Sequence, residues 1–222
     1  MLPELIVMLT QNDLTVPNAE TLFEQCRHSS ARCWGVKEHP LPQADMHRLC
    51  RRMKDCGKTT FLEVVAYSEE EGMAGARMAV DCGFDVLMGT CYHDSINDYC
   101  QQHHLRYMPF VGTINGRPSV LSGTVDDIVA QARHCIAQGV AGIDLLAYRF
   151  TGDAIELSRS VIAATQAPVC LAGSINSYAR LDEVCESNPW AFTIGSAFFD
   201  KKFGNELSEQ IDNVCNYINR KQ

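Results

Sequence analysis

The feature that most restricts the fold is a beat of short apolar runs and helix-period segments that repeats along the whole 222-residue chain. The runs are Leu5 to Leu9, Cys33 to Lys37, Thr60 to Tyr67, Asp85 to Gly89, Tyr107 to Val111, Gly142 to Tyr148, Pro168 to Ala172 and Ala191 to Ile194. Several are apolar throughout, as parallel strands are when helices cover them and neither face meets water. Between them apolar residues recur at spacings of three and four, as in Met46, Leu49 and Met53 or in Met73, Ala76 and Val80. That period predicts amphipathic helices. Ser68 with Glu71, Thr124 with Asp127 and Asp153 with Glu156 have the spacing of capping boxes at helix starts.

Eight strand-plus-helix units in unbroken alternation predict an α/β chain closed as a (β/α)8 TIM barrel, with residues 1–222 forming a single domain. A doubly wound sheet is the competing arrangement, but no GxGxxG follows the first run. The net charge of -8, from 19 basic and 27 acidic residues, supplies no general attraction for nucleic acid or an anionic membrane. No apolar run is long enough to span a bilayer, and the opening MLPELIVMLTQNDLTV reads as a first strand rather than a signal peptide. Eleven cysteines, scattered singly and without a CxxC pair, fit a reducing, cytoplasmic setting.

In such a barrel the functional residues lie at the C-terminal ends of the strands. The seventh run ends in CLAGSINS, Cys170 to Ser177, and the eighth leads into FTIGSAFFDKKFG, Phe192 to Gly204. Glycines there let the backbone approach a ligand, the serines add hydroxyl donors, and a short helix over Ser196 to Lys202 would aim free N–H groups at a phosphate. The pair AGS and IGSAFF, one helix apart, resembles the phosphate grip of the ribulose-phosphate-binding barrel superfamily. That superfamily includes phosphoribosylanthranilate isomerase, pentulose-phosphate epimerases, orotidine-phosphate-type decarboxylases and N-acylmannosamine-phosphate epimerases. The resemblance implies phosphate contacts from Gly173, Ser174, Gly195 and Ser196, although Gly173-Ser174 stands where the family often has a double glycine.

Three candidates carry the reaction. Lys37 ends the second run in GVKEHP, where a lysine serves as a general acid, a Schiff-base amine or a partner for a carboxylate. Glu63 interrupts FLEVVAY, and Asp144 interrupts GIDLLAYRF. A carboxylate inside an apolar strand is costly unless paired, so both are acid–base candidates. The resemblance also implies an acid on strand six. Convergence of Lys37, Glu63 and Asp144 depends on strand parity, which the sequence leaves open.

His39, His93, Arg117, Tyr148 and Arg149 are further candidates for substrate contacts, with Arg117 on a loop from Gly112 to Gly123 that is long enough to close over the mouth. No histidine pair has metal-ligand spacing, so neither a metal nor a cofactor is expected. The expected activity is acid–base chemistry beside a carbonyl of a small phosphorylated sugar or sugar acid, with isomerase or epimerase ahead of lyase. The other expectation is a non-catalytic phosphometabolite sensor resembling glycerol-phosphate-responsive antiterminators, or a barrel that has lost activity. A homo-oligomer stays open.

Overall fold

The computed structural model describes residues 2–221, and in it the apolar runs form strands and the helical periods form helices. The strands are β1 Glu4–Met8, β2 Cys33–Lys37, β3 Thr59–Val64, β4 Val86–Cys91, β5 Arg106–Phe110, β6 Ile143–Leu145, β7 Val169–Leu171 and β8 Ala191–Ile194. The helices are α1 Ala19–Cys26, α2 Gln43–Asp55, α3 Glu69–Cys82, α4 Asp94–Gln102, α5 Val125–Ala137, α6 Ala154–Thr165, α7 Tyr178–Ser187, α8 Ser196–Phe199 and α9 Leu207–Asn219. Each strand pairs in parallel with its neighbours in sequence, and β1 closes the ring by pairing with β8, Glu4 opposite Ala191. The fold is a (β/α)8 barrel, and closure leaves it no open strand edge. Ser68, Thr124 and Asp153 each accept a first-turn N–H of the helix they precede. Among the described residues no helix is long and apolar enough to cross a membrane.

Strand parity follows from which core each residue joins. Trp34, Val36, Leu62, Val64, Ile143 and Leu145 pack outward against the helices. Ile6, Met8, Cys33, Phe61, Met88, Met108 and Cys170 fill the barrel interior. Because side chains alternate along a strand, Lys37, Glu63 and Asp144 share the inward face. Lys37 and Glu63 are also opposite each other in the β2–β3 register.

The structure departs from the sequence reading at three segments that shape the mouth. Strand β6 stops at Leu145 rather than running to Tyr148, because pairing with β7 ends there and Ala147–Arg149 turn into a short 3-10 helix. After β1 the chain makes a hairpin, Thr10–Gln11 against Leu14–Thr15, with Asn12 and Asp13 both left-handed at φ 52° and 63°. Consecutive left-handed residues in a two-residue loop are the signature of a type I′ turn, which asparagine and aspartate tolerate. The segment from Gly112 to Gly123 likewise forms a hairpin, Thr113–Asn115 against Val120–Ser122.

Helix α3 corrects one expected stripe. Its buried face is Gly72, Gly75, Ala76, Ala79 and Cys82, while Met73 and Val80 are only half-buried flanks. The cause is close approach to β3: a Cβ at Gly75 would lie 2.4 Å from Val64 Cγ1. Gly75→Ala would gain about 1 kcal/mol of helix propensity, but overpacking a rigid valine costs about 1–3 kcal/mol. The expected result is a lower Tm in thermal denaturation, and a higher Tm would contradict this packing.

Candidate active site

A polar cleft of about 250 Å³ opens at the C-terminal mouth of the barrel. The turn after β7 contributes Gly173 and Ser174 to it, and the turn after β8 contributes Gly195 and Ser196. Gly173 and Ser174 are left-handed, with φ 89° and 38°. A Cβ at Gly173 would sit 2.7 Å from Arg149 Cγ, so glycine serves both the backbone and the packing there. At Gly195 a Cβ would sit 2.5 Å from Thr10 Oγ1, which keeps that turn against the first hairpin. The Asn12 N–H donates to Ser196 Oγ at 3.2 Å, leaving the serine's own proton free to donate elsewhere. Helix α8 starts at Ser196 and ends at Phe199, short of the expected Lys202, and its first N–H groups have no partner within the helix.

Beside these turns lies a charged cluster. Lys37 Nζ stands 2.9 Å from Asp13 Oδ1 and 3.5 Å from Glu63 Oε1, and Arg149 Nη2 stands 3.5 Å from the same Asp13 oxygen. Thr15 fixes the strand end below, since its hydroxyl both accepts from the Lys37 N–H and donates to the Lys37 carbonyl, each at 2.8 Å. Burial opposes the charge on Lys37, but Glu63 and Asp13 outweigh it and hold the ammonium above its ordinary pKa. Burial likewise opposes the charge on Asp13, and Lys37 and Arg149 prevail, holding it below the usual carboxylate range.

Asp144 is different. It is 0% exposed and does not line the cleft, and neither carboxyl oxygen has a hydrogen-bond partner among the described residues. Burial first, and repulsion from Glu63 second, push its pKa well above the usual value, against smaller opposing effects of Lys37 and the nearby Gly89 N–H. Its burial and the neighbouring Glu63 thus favour the protonated form over the carboxylate.

Of the residues singled out in the sequence, Lys37, Glu63, Arg149, Gly173, Ser174, Gly195 and Ser196 all line this one cleft. Four do not. His39 is exposed, with its carbonyl accepting from the Thr15 N–H. His93 sits at the N-cap of α4, its Nδ1 4.0 Å from Glu69 Oε2. Tyr148 faces α7, where the Arg180 guanidinium lies 4.2 Å from its ring centre. Arg117 donates to the Val65 carbonyl at 2.8 Å, and its hairpin reaches the cleft through Ser119 instead. Sequence reasoning missed Asp13. Its signal was Asn-Asp between Gln11 and Leu14, a hairpin turn inside what reads as one strand running into a helix. Among the described residues no three His, Cys, Asp or Glu side chains cluster so as to hold a metal ion.

Fold and cleft together define a (β/α)8 barrel with a polar, charged pocket at the end where such barrels carry their function. No family model and no curated protein matches the chain. Its architecture is similar to that of orotidine 5'-monophosphate decarboxylase from Methanocaldococcus jannaschii, solved with the inhibitor BMP. The TM-score is 0.72 at 12% identity, over 99% of this chain and 100% of that one. N-(5'-phosphoribosyl)anthranilate isomerase from Pyrococcus furiosus aligns with a TM-score of 0.67 at 11% identity, over 96% of this chain and 99% of that one. The N-acetylmannosamine-6-phosphate 2-epimerase from Clostridium perfringens aligns with a TM-score of 0.64 at 10% identity, over 87% and 86%. At these identities the likeness is one of fold, that of a (β/α)8 barrel.

Proposed function

We propose that this protein is an enzyme that binds a small phosphorylated sugar or sugar acid and moves a proton beside its carbonyl, as an isomerase or epimerase. The observation that carries the reading is the convergence, in one cleft, of the Gly173-Ser174 and Gly195-Ser196 turns with Lys37 and Glu63. The amides and hydroxyls of the two turns grip the phosphate. That fixes the rest of the ligand over the charged cluster, where orientation itself lowers the barrier. Glu63 takes the proton from the carbon next to the carbonyl. Lys37, held as an ammonium, and Arg149 offset the negative charge that develops on the enediolate oxygen.

Lyase chemistry fits less well. A Schiff base needs a free amine, whereas Asp13 and Glu63 hold Lys37 protonated. Strand β3 has the acid Glu63 but Val65 two positions on, where an orotidine-phosphate-type decarboxylase resemblance calls for lysine. A sensor of the same ligand needs the phosphate turns but not the charged cluster, so the cluster favours catalysis. The eleven cysteines are all free thiols, which supports placing the protein in the cytoplasm.

A thermal-shift screen tests the reading. Sugar phosphates should raise the Tm and their dephosphorylated counterparts should not, with about 2.7 kcal/mol of stabilisation at a concentration 100 times Kd. Equal response to both sets would contradict the phosphate grip.

A further inference from the structure

The charged cluster also bears on what the rest of the ligand looks like. Two cations line the cleft, Lys37 and Arg149, against three carboxylates, Asp13, Glu63 and Asp200. Neither cation is free. Lys37 touches Asp13 at 2.9 Å and Glu63 at 3.5 Å, and Arg149 reaches the same Asp13 oxygen at 3.5 Å. A ligand carboxylate entering this space would lose its hydration and find no unpaired positive charge. To gain one it would have to displace Asp13, leaving that half-buried carboxylate uncompensated. Hydroxyl and carbonyl groups meet no such penalty. They accept from Lys37 or Arg149 and donate to Asp13 or Glu63 without disturbing the charge balance. The phosphate, for its part, is served by neutral donors, the amides and hydroxyls of the two turns.

We propose that the ligand is a phosphorylated sugar with no charge other than its phosphate, not a phosphorylated sugar acid, and that Asp13 enforces this choice. The inference rests on the phosphate reading above and narrows it. Asp13 is well placed to select. It is held by its type I′ turn at φ 63°, and the adjoining Asn12 N–H ties that turn to Ser196 of the phosphate turn. Asparagine is equally at home in such a turn, so Asp13→Asn removes the charge while keeping the hairpin.

Isothermal titration calorimetry of the wild type and Asp13→Asn tests this, using inorganic phosphate and the matched pairs glucose 6-phosphate with 6-phosphogluconate and erythrose 4-phosphate with 4-phosphoerythronate. The wild type should bind the aldehyde member of at least one pair about tenfold or more tightly than its acid. In Asp13→Asn that preference should shrink or reverse, with inorganic phosphate affinity little changed. Binding of inorganic phosphate together with equal or tighter binding of the acids to the wild type would overturn the inference alone. Failure of inorganic phosphate and of every pair member to bind would overturn the phosphate reading with it.

Discussion

Glu63→Gln is expected to remove nearly all turnover and to leave ligand binding close to that of the wild type. Glu63 lines the cleft on the inward face of β3, 3.5 Å from the Lys37 ammonium, and it is the carboxylate of the inward-facing pair that reaches the ligand space. Glutamine keeps its shape but cannot take a proton, and a positioned general base contributes about 100- to 10,000-fold in rate. The turns proposed to hold the phosphate are formed by other residues, and Lys37 retains Asp13 as its closer partner, so the cleft geometry survives. The measurement is exchange of the carbon-bound proton into deuterated water, followed by NMR, on the sugar phosphate that gives the largest thermal shift. Exchange by the variant at the wild-type rate would show that Glu63 is not the base.

The largest stability effect should come from Asp144→Asn, and it should depend on pH. An unfolded aspartate titrates at about 3.9, whereas the native Asp144 carboxyl holds its proton well above that, chiefly through burial and secondly through Glu63. Above about pH 4 the native state therefore binds a proton that the unfolded state has released. The contribution of Asp144 is complete below the unfolded pKa. It is lost at up to about 1.4 kcal/mol per pH unit as the pH rises, until the native carboxyl itself ionises. Asparagine has no such titration. Urea denaturation should show the variant gaining on the wild type as the pH rises from about 5, and a gap that stays constant with pH would mean that burial does not raise the Asp144 pKa.

The barrel was legible because its signal is redundant. Eight apolar runs each fixed one strand, and an error of a residue or two at an end, as at Thr59 or Val86, changes nothing in the closure. The two glycine-serine turns at the cleft were legible for a related reason, since Gly173 and Gly195 sit where the backbone has no room for a side chain. The inward convergence of Lys37, Glu63 and Asp144 was not. In runs as uniformly apolar as FLEVVAY, both faces are buried, so alternation carries no label for inside and outside. Asp13 escaped because it is a turn residue that works through position. Its chemistry arises only when the hairpin folds it back onto Lys37, 24 residues further along the chain. His39 and His93 were placed at the correct end of the barrel, but being at a strand end does not make a side chain turn inward.

If one oxyanion is shared by two turns late in the chain, amide chemical shifts report its binding most directly. In a 15N-labelled sample titrated with inorganic phosphate, the N–H signals of Gly173, Ser174, Gly195 and Ser196 should move together with a single saturation curve, while those around His93 stay still. Stationary signals at those four positions, or movement centred on another part of the surface, would contradict a phosphate held between the two turns.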